Sequence, residues 1–261
     1  MGPLLGHGIF TTDGEHWAHS RAMVRPNFVK EQVADIKAFE RHVSDLFALI
    51  PRDGSTVDLQ DLFFRFTIDS STEFLFGKGT DELKAALRGD NNEGSFAWAF
   101  NYSQNSVMYR FRIGAFNKIL KDPYPQELQC RKIVHDLVDQ FVDNAVEYRR
   151  THDVEKAQPE EKYVFLRELT KQTTDKRRLR DETLNILLAG RDTTAGLLSN
   201  MFWFIAKEPR IWQRMRQEVE DALHGELPTY QQLRDLKYVK WCINECECCQ
   251  PQVGDLTDSE M

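Results

Sequence analysis

The sequence predicts an all-α or mostly α protein, with one long buried central helix and little or no sheet. Three observations predict it. Apolar residues recur at three- and four-residue spacing in segment after segment, as one face of a helix requires. Residues that start and stop helices bracket most of those segments. No segment shows the strict alternation of a half-buried strand, and no internal repeat is present.

The elements follow in chain order. Thr12-Asp13-Gly14-Glu15 has the capping-box spacing, Thr three residues before Glu, and opens a short helix. Pro26 biases Arg25 away from the helical region and ends that helix. A longer helix is expected over residues 30–49, with Val33, Ile36, Lys37, Glu40, Val43 and Phe47 on or beside one face. Pro51-Arg52-Asp53-Gly54 reads as a turn. From Asp58 onward, Leu59, Leu62, Phe63 and Phe66 have helical spacing, and Gly77 is a natural terminator. Residues 78–95 are polar and rich in Gly and Asn, and read as a loop with one short helix. Pro123 and Pro125 punctuate before a helix with Ile133, Leu137, Phe141 and Ala145, and residues 149–162 read as a charged loop. Asp181 is placed to cap an apolar run that continues to Ala206 as the longest and most buried helix. Pro209 occupies a first-turn position, and Trp212, Met215, Val219 and Leu223 form a stripe ended by Gly225. Pro228-Thr229 opens a further helix through Tyr238, and Trp241 to Glu245 starts another.

Composition narrows the classes. At 261 residues the chain is one large domain or two small ones. Hydrophobic residues make up 41%, with 17 Phe, enough for a sizeable core. A net charge of -7 lacks the basic footprint of a nucleic-acid binder. No signal peptide or N-terminal anchor is seen in the first twenty residues. The greasiest stretch, Leu184 to Ala206, carries Arg191 and Asp192 at its centre, which argues against a membrane span. The five cysteines are odd in number and bunched toward the end, which fits a reducing compartment better than a disulfide framework.

The segment Ala189-Gly190-Arg191-Asp192-Thr193-Thr194 carries the chemistry. A Gly, a charged pair and two hydroxyl residues are poor choices for a buried helix interior. Thr193 is placed to bond back to the carbonyl of Ala189 and loosen the helix. Gly190 leaves room against the backbone, and Asp192 beside Thr193 supplies the parts of a proton relay. The other reading is a polar helix–helix crossing built with small residues. A second pair, Trp17 and Arg21, lies four residues apart on one helical face and suits a carboxylate or phosphate; the alternative is a surface stacking pair. His16 and His19 lack an acidic partner at ligand spacing, and the Cys242, Cys246, Cys248, Cys249 cluster is denser than structural zinc spacing, so no metal site is expected. Asn101-Tyr102-Ser103 is a chance glycosylation tripeptide if the compartment is reducing. Phosphate-binding glycine loops, the serine nucleophile elbow, the HExxH pattern and the Rossmann glycine pattern are absent.

These residues resemble a known family. Ala-Gly-Arg-Asp-Thr-Thr within a long apolar helix is similar to the oxygen-binding helix of cytochrome P-450 monooxygenases, and the Trp17-x-x-x-Arg21 helix to their haem-propionate helix. The runs at Gly8–Gly14, Ser20–Pro26, Asp69–Gly77 and Ala99–Tyr102 resemble the fungal branch that hydroxylates n-alkanes and fatty acids. The resemblance implies a haem cofactor bound through Trp17 and Arg21. It implies a distal haem face lined by Ala189 and Gly190, and proton delivery by Asp192 and Thr193 during oxygen activation. Arg191 falls at a variable position and receives no role. An NADPH-cytochrome reductase as electron donor and a hydrophobic small molecule as substrate are also implied. So is the cytosolic face of the endoplasmic reticulum membrane for full-length members; without the anchor, this chain is expected in the cytosol.

The resemblance divides the chain into a partial P-450 domain at residues 1–245 and a divergent, disordered tail at 246–261. The family's next Arg, three residues after Glu245, is replaced by Cys248. No Cys has the glycine and phenylalanine flanks of the family's axial thiolate ligand, so the chain as written is expected to lack monooxygenase activity. A non-catalytic helical interaction protein derived from the same scaffold is the other reading.

Overall fold

The computed structural model describes residues 2–28, 36–90, 93–114, 116, 122–151 and 163–249. Among them no strand occurs, and every regular element is helical. In chain order these are α1 (Gly2–Leu5), α2 (Gly14–Val24), a 3-10 turn (Arg25–Phe28), α3 (Ile36–Leu49), α4 (Leu59–Phe76), α5 (Glu82–Arg88), α6 (Phe96–Ile113), α7 (Glu127–Thr151), α8 (Phe165–Thr170), α9 (Lys176–Lys207), α10 (Pro209–Leu223), α11 (Tyr230–Asp235) and α12 (Lys237–Cys249).

Local sequence explains many of the boundaries. Asp58 caps α4 by accepting from the backbone N–H groups of Gln60 and Asp61, and Gly77 ends it in the left-handed conformation at φ 79°. Ser95 caps α6 through the Trp98 N–H. Pro209 stands in the first turn of α10. Thr229 and Gln232 form a reciprocal capping box on α11.

Three expectations are corrected. Thr12 does not cap α2; its hydroxyl donates to the Gly8 carbonyl, and Asp13 stands at the cap without a side-chain bond. Asp181 lies inside α9, which starts five residues earlier, at Lys176 behind the cap Asp175. The expected helix through Tyr238 breaks at Leu236, and one helix, α12, covers the residues from Lys237 onward. Cys246, which follows Glu245 on that helix, is buried in its packing face. The N-terminal part of the helix expected over 30–49, most of the loop at 149–162 and residues 250–261 of the expected tail lie outside the described residues.

The 32-residue α9 is the axis of the molecule. It packs against α1, α4, α7, α8, α10 and α12, most extensively against α4. Leu179, Leu184 and Leu187 are completely buried on it, in a core shared with Ile68, Leu75, Phe100, Val134, Val138 and Phe165. Leu188, Leu197 and Leu198 are half-buried. A smaller cluster joins α9 to the end of the chain through Met201, Ile205, Met215 and Cys246. Among the described residues, no helix is long and apolar enough to cross a membrane.

Glu82, at the start of α5, is 4% exposed and accepts from the Ala97 N–H. Burial raises its carboxyl pKa above the ordinary 4.5, against the opposing effects of Ser95, the Ala97 amide and Arg65. A raised carboxyl binds its proton more tightly in the folded state, so its stabilising contribution is complete below the unfolded pKa. That contribution is lost as pH rises through the folded pKa. Glu82→Gln should therefore be more stable than the parent near about pH 7, with the gain vanishing near about pH 4. Urea midpoints at the two pH values check this; an equal difference at both would refute it.

Candidate functional site

The polar interruption of α9 is built from three elements. Arg191 is 4% exposed, with its guanidinium over the rings of Phe64 on α4 and Phe100 on α6, at 4.6 and 5.6 Å from their centroids. Burial lowers its pKa, and the adjacent Asp192 opposes that shift. Nη1 of Arg191 donates to one carboxylate oxygen of Asp192 at 2.8 Å. The Nε2 amide of Gln104 on α6 donates to the other oxygen. The Oε1 of Gln104 in turn accepts from Arg191 at 3.3 Å, and Asn101 lies 3.5 Å from Nη2. Arg191, Asp192 and Gln104 thus form a closed triangle at the α6–α9 contact.

Thr193 follows on the exposed side of the same helix, and its hydroxyl donates to the Ala189 carbonyl at 2.7 Å. Such a back-bond competes with the regular helix ladder at this turn. Ala189 is half-buried. Gly190 is also half-buried, and a Cβ built on it would meet the Ser71 hydroxyl of α4 at 2.9 Å. Its missing side chain therefore admits α4, as a small-residue helix crossing does.

Trp17 and Arg21 project from one face of α2, with the guanidinium carbon 5.5 Å from the indole centroid. Both are exposed, and among the described residues neither has a hydrogen-bond acceptor or ion-pair partner. Their free N–H groups form a donor pair suited to a carboxylate. Nε2 of His16 donates to the His7 carbonyl at 3.1 Å, and no group of metal-binding side chains occurs among the described residues.

Sequence reasoning missed what joins α2 to α9. Asp181 accepts from the His7 N–H at 2.9 Å, Glu182 from Ile9 at 3.2 Å and Asn185 from Phe10 at 2.9 Å, while the Asn185 amide donates to the Leu5 carbonyl at 2.9 Å. All three side chains are buried. Gly6 and Gly8 permit the close approach: a Cβ would come within 2.0 Å of the Asp181 carboxyl carbon at Gly6, and within 2.4 Å of Asn185 at Gly8. The signal was present as three polar residues at i, i+1 and i+4, a spacing that places them on one helical face. Arg191 and Gln104 were missed for a different reason: they meet across 87 positions of chain.

Comparisons with known proteins bear on this arrangement. The cytochrome P450 family profile matches residues 2–246. The chain is 45% identical over 263 residues to cytochrome P450 monooxygenase fsdH of Fusarium heterosporum, covering 97% of this chain and 46% of that protein. It is 45% identical to cytochrome P450 monooxygenase himC of Aspergillus japonicus, over 98% of this chain and 46% of that protein. It is 44% identical to cytochrome P450 52A5 of Candida maltosa, over 96% of this chain and 49% of that protein. The chain spans about half the length of the curated relatives it matches.

Proposed function

The chain belongs to the cytochrome P450 family, and from that premise we propose that it forms the distal helical part of a haem-dependent monooxygenase. The observation that carries the reading is Thr193: a hydroxyl on the exposed face of α9, the longest helix among the described residues, donating to the Ala189 carbonyl. The residues present fit a haem. Trp17 and Arg21 offer an exposed indole N–H and a guanidinium side by side, a donor set for a propionate. Bound there, haem supplies the redox chemistry that activates dioxygen for hydroxylation.

The side chains around it do the rest. Ala189 keeps the distal surface low, and Gly190 lets α4 approach α9 behind it. Thr193 holds a proton at its Oγ1, within one turn of Asp192, whose side chain is 24% exposed and open to exchange with water. Arg191 and Gln104 hold both oxygens of that carboxylate, which keeps the acid at one place on the helix. The sequence resemblance supports alkanes or fatty acids as substrate, an NADPH-cytochrome reductase as electron donor, and the cytosolic face of the endoplasmic reticulum membrane for the full-length protein.

We infer from the flanks of its cysteines that this chain does not itself supply the axial thiolate, since none has the glycine and phenylalanine neighbours of the family's ligand. On that reading, oxygen activation draws its thiolate from elsewhere in the full-length protein. The test is haem titration of residues 1–261, followed by reduction and exposure to carbon monoxide. Expected are binding without a thiolate-type absorption band, and an affinity reduced about tenfold in Arg21→Ala, equivalent to ~1.4 kcal/mol. A thiolate-type band, or an unchanged affinity in Arg21→Ala, would overturn the assignment. A stable protein that ignores haem would instead support the non-catalytic interaction protein.

A further inference from the structure

Glu182 is completely buried on α9, yet only one of its carboxyl oxygens has a hydrogen-bond donor, the Ile9 N–H. The second oxygen, Oε1, is buried without a partner. The Ser20 hydroxyl on α2 is in the same condition, buried and unpaired. These two atoms belong to neighbouring groups. Burial raises the Glu182 carboxyl pKa, while the Ser20 hydroxyl, the Ile9 amide, Arg178 one turn earlier on α9 and His16 on α2 act against that rise. A buried polar group stranded without a partner costs roughly 1–3 kcal/mol, so two neighbouring orphans gain by pairing with each other. Ser20 stands between Trp17 and Arg21 in sequence, on the inward side of the same helix.

We propose that Glu182 is a positioning residue for α2. Its carboxyl spans the Ile9 amide and the Ser20 hydroxyl, and so fixes the Trp17–Arg21 face relative to the Ala189–Thr193 turn. Ala189 lies seven residues further along the same rigid helix, about 10 Å at 1.5 Å per residue. Asp181 and Asn185 hold the loop before α2; Glu182 also interacts with α2 itself, through Ser20 and His16. The value of this contact for haem rests on the reading above, but the contact can be tested without haem.

The experiment is hydrogen exchange of residues 1–261, read by mass spectrometry on peptides covering 5–24. Glu182→Leu should speed exchange there by about tenfold or more, while peptides of α7 keep the parent rate. Glu182→Gln should stay within about threefold of the parent, because an amide still accepts from Ile9 and donates to the Ser20 oxygen. Unchanged exchange in Glu182→Leu, or a Gln variant as fast as the Leu variant, would overturn the proposal. Should the Leu variant lose protection in α7 as well, Ser20→Ala decides: faster exchange confined to 5–24 supports the contact, and parent-like exchange refutes it. Arg21→Ala separates the two ideas, since it leaves Glu182 and Ser20 in place. Intact protection with undiminished haem affinity in that variant defeats the propionate reading and leaves the positioning contact standing.

Discussion

Asp69→Ala should lower the free energy of unfolding by about 4 kcal/mol, because each stranded buried donor costs roughly 1–3 kcal/mol. Asp69 is 1% exposed in the middle of α4. One of its oxygens accepts from the Thr80 hydroxyl at 2.8 Å and the Glu82 N–H at 2.9 Å; the other accepts from the Leu83 N–H at 2.9 Å. It is a cap supplied from another helix, satisfying the first amides of α5, where a carboxylate is also favoured by the helix dipole. Removing it strands three donors beneath Leu83, which is completely buried. Asp69→Asn should cost less, because one carbonyl oxygen remains to serve Thr80 and Glu82. Urea unfolding checks both; a loss below about 1 kcal/mol in the Ala variant would mean that α5 does not depend on this cap.

Gly6→Ala should cost about 3 kcal/mol, from a left-handed backbone that disfavours any side chain and from overpacking worth roughly 1–3 kcal/mol. Gly6 has φ +62°, and its added Cβ would lie 2.0–2.3 Å from the Asp181 carboxyl atoms. Asp181 has nowhere to move, since it is buried and holds the His7 N–H. Gly14→Ala is the matched control: its φ is +60°, but a Cβ there meets nothing within 4 Å. That variant should lose about 1 kcal/mol, the backbone cost alone. Equal losses in the two variants would show that the approach to Asp181 is not a constraint.

The sequence made the helical fold legible because punctuation is local. Gly77, Pro209 and Thr229 act within a turn of themselves, and the structure uses them as read. Asp181 misled because an Asp ahead of an apolar run has the chemistry of a cap; what makes it interior is its tertiary partner, His7, 174 positions away. The α6 helix escaped notice although Ser95 caps it, since Phe96–Ile113 mixes aromatic and polar residues without a clean apolar stripe. The Ala189–Thr194 interruption stood out against its greasy surroundings. Its partners did not, because Gln104 and Ser71 come from helices that only the fold brings to α9.

The pairing of residues 5–10 with α9 also sets a schedule for synthesis. Leu4 and Leu5 leave the ribosome long before α9 does, and both are buried against partners that include α9. The acceptors for the His7, Ile9 and Phe10 amides lie 173–175 residues downstream. At elongation speeds of about 5–20 residues per second, this segment waits on the order of 10–30 s for them. Throughout that interval two leucines and a row of unpaired amides are available to any chaperone, or to any neighbouring nascent chain, before the segment can close on its own molecule.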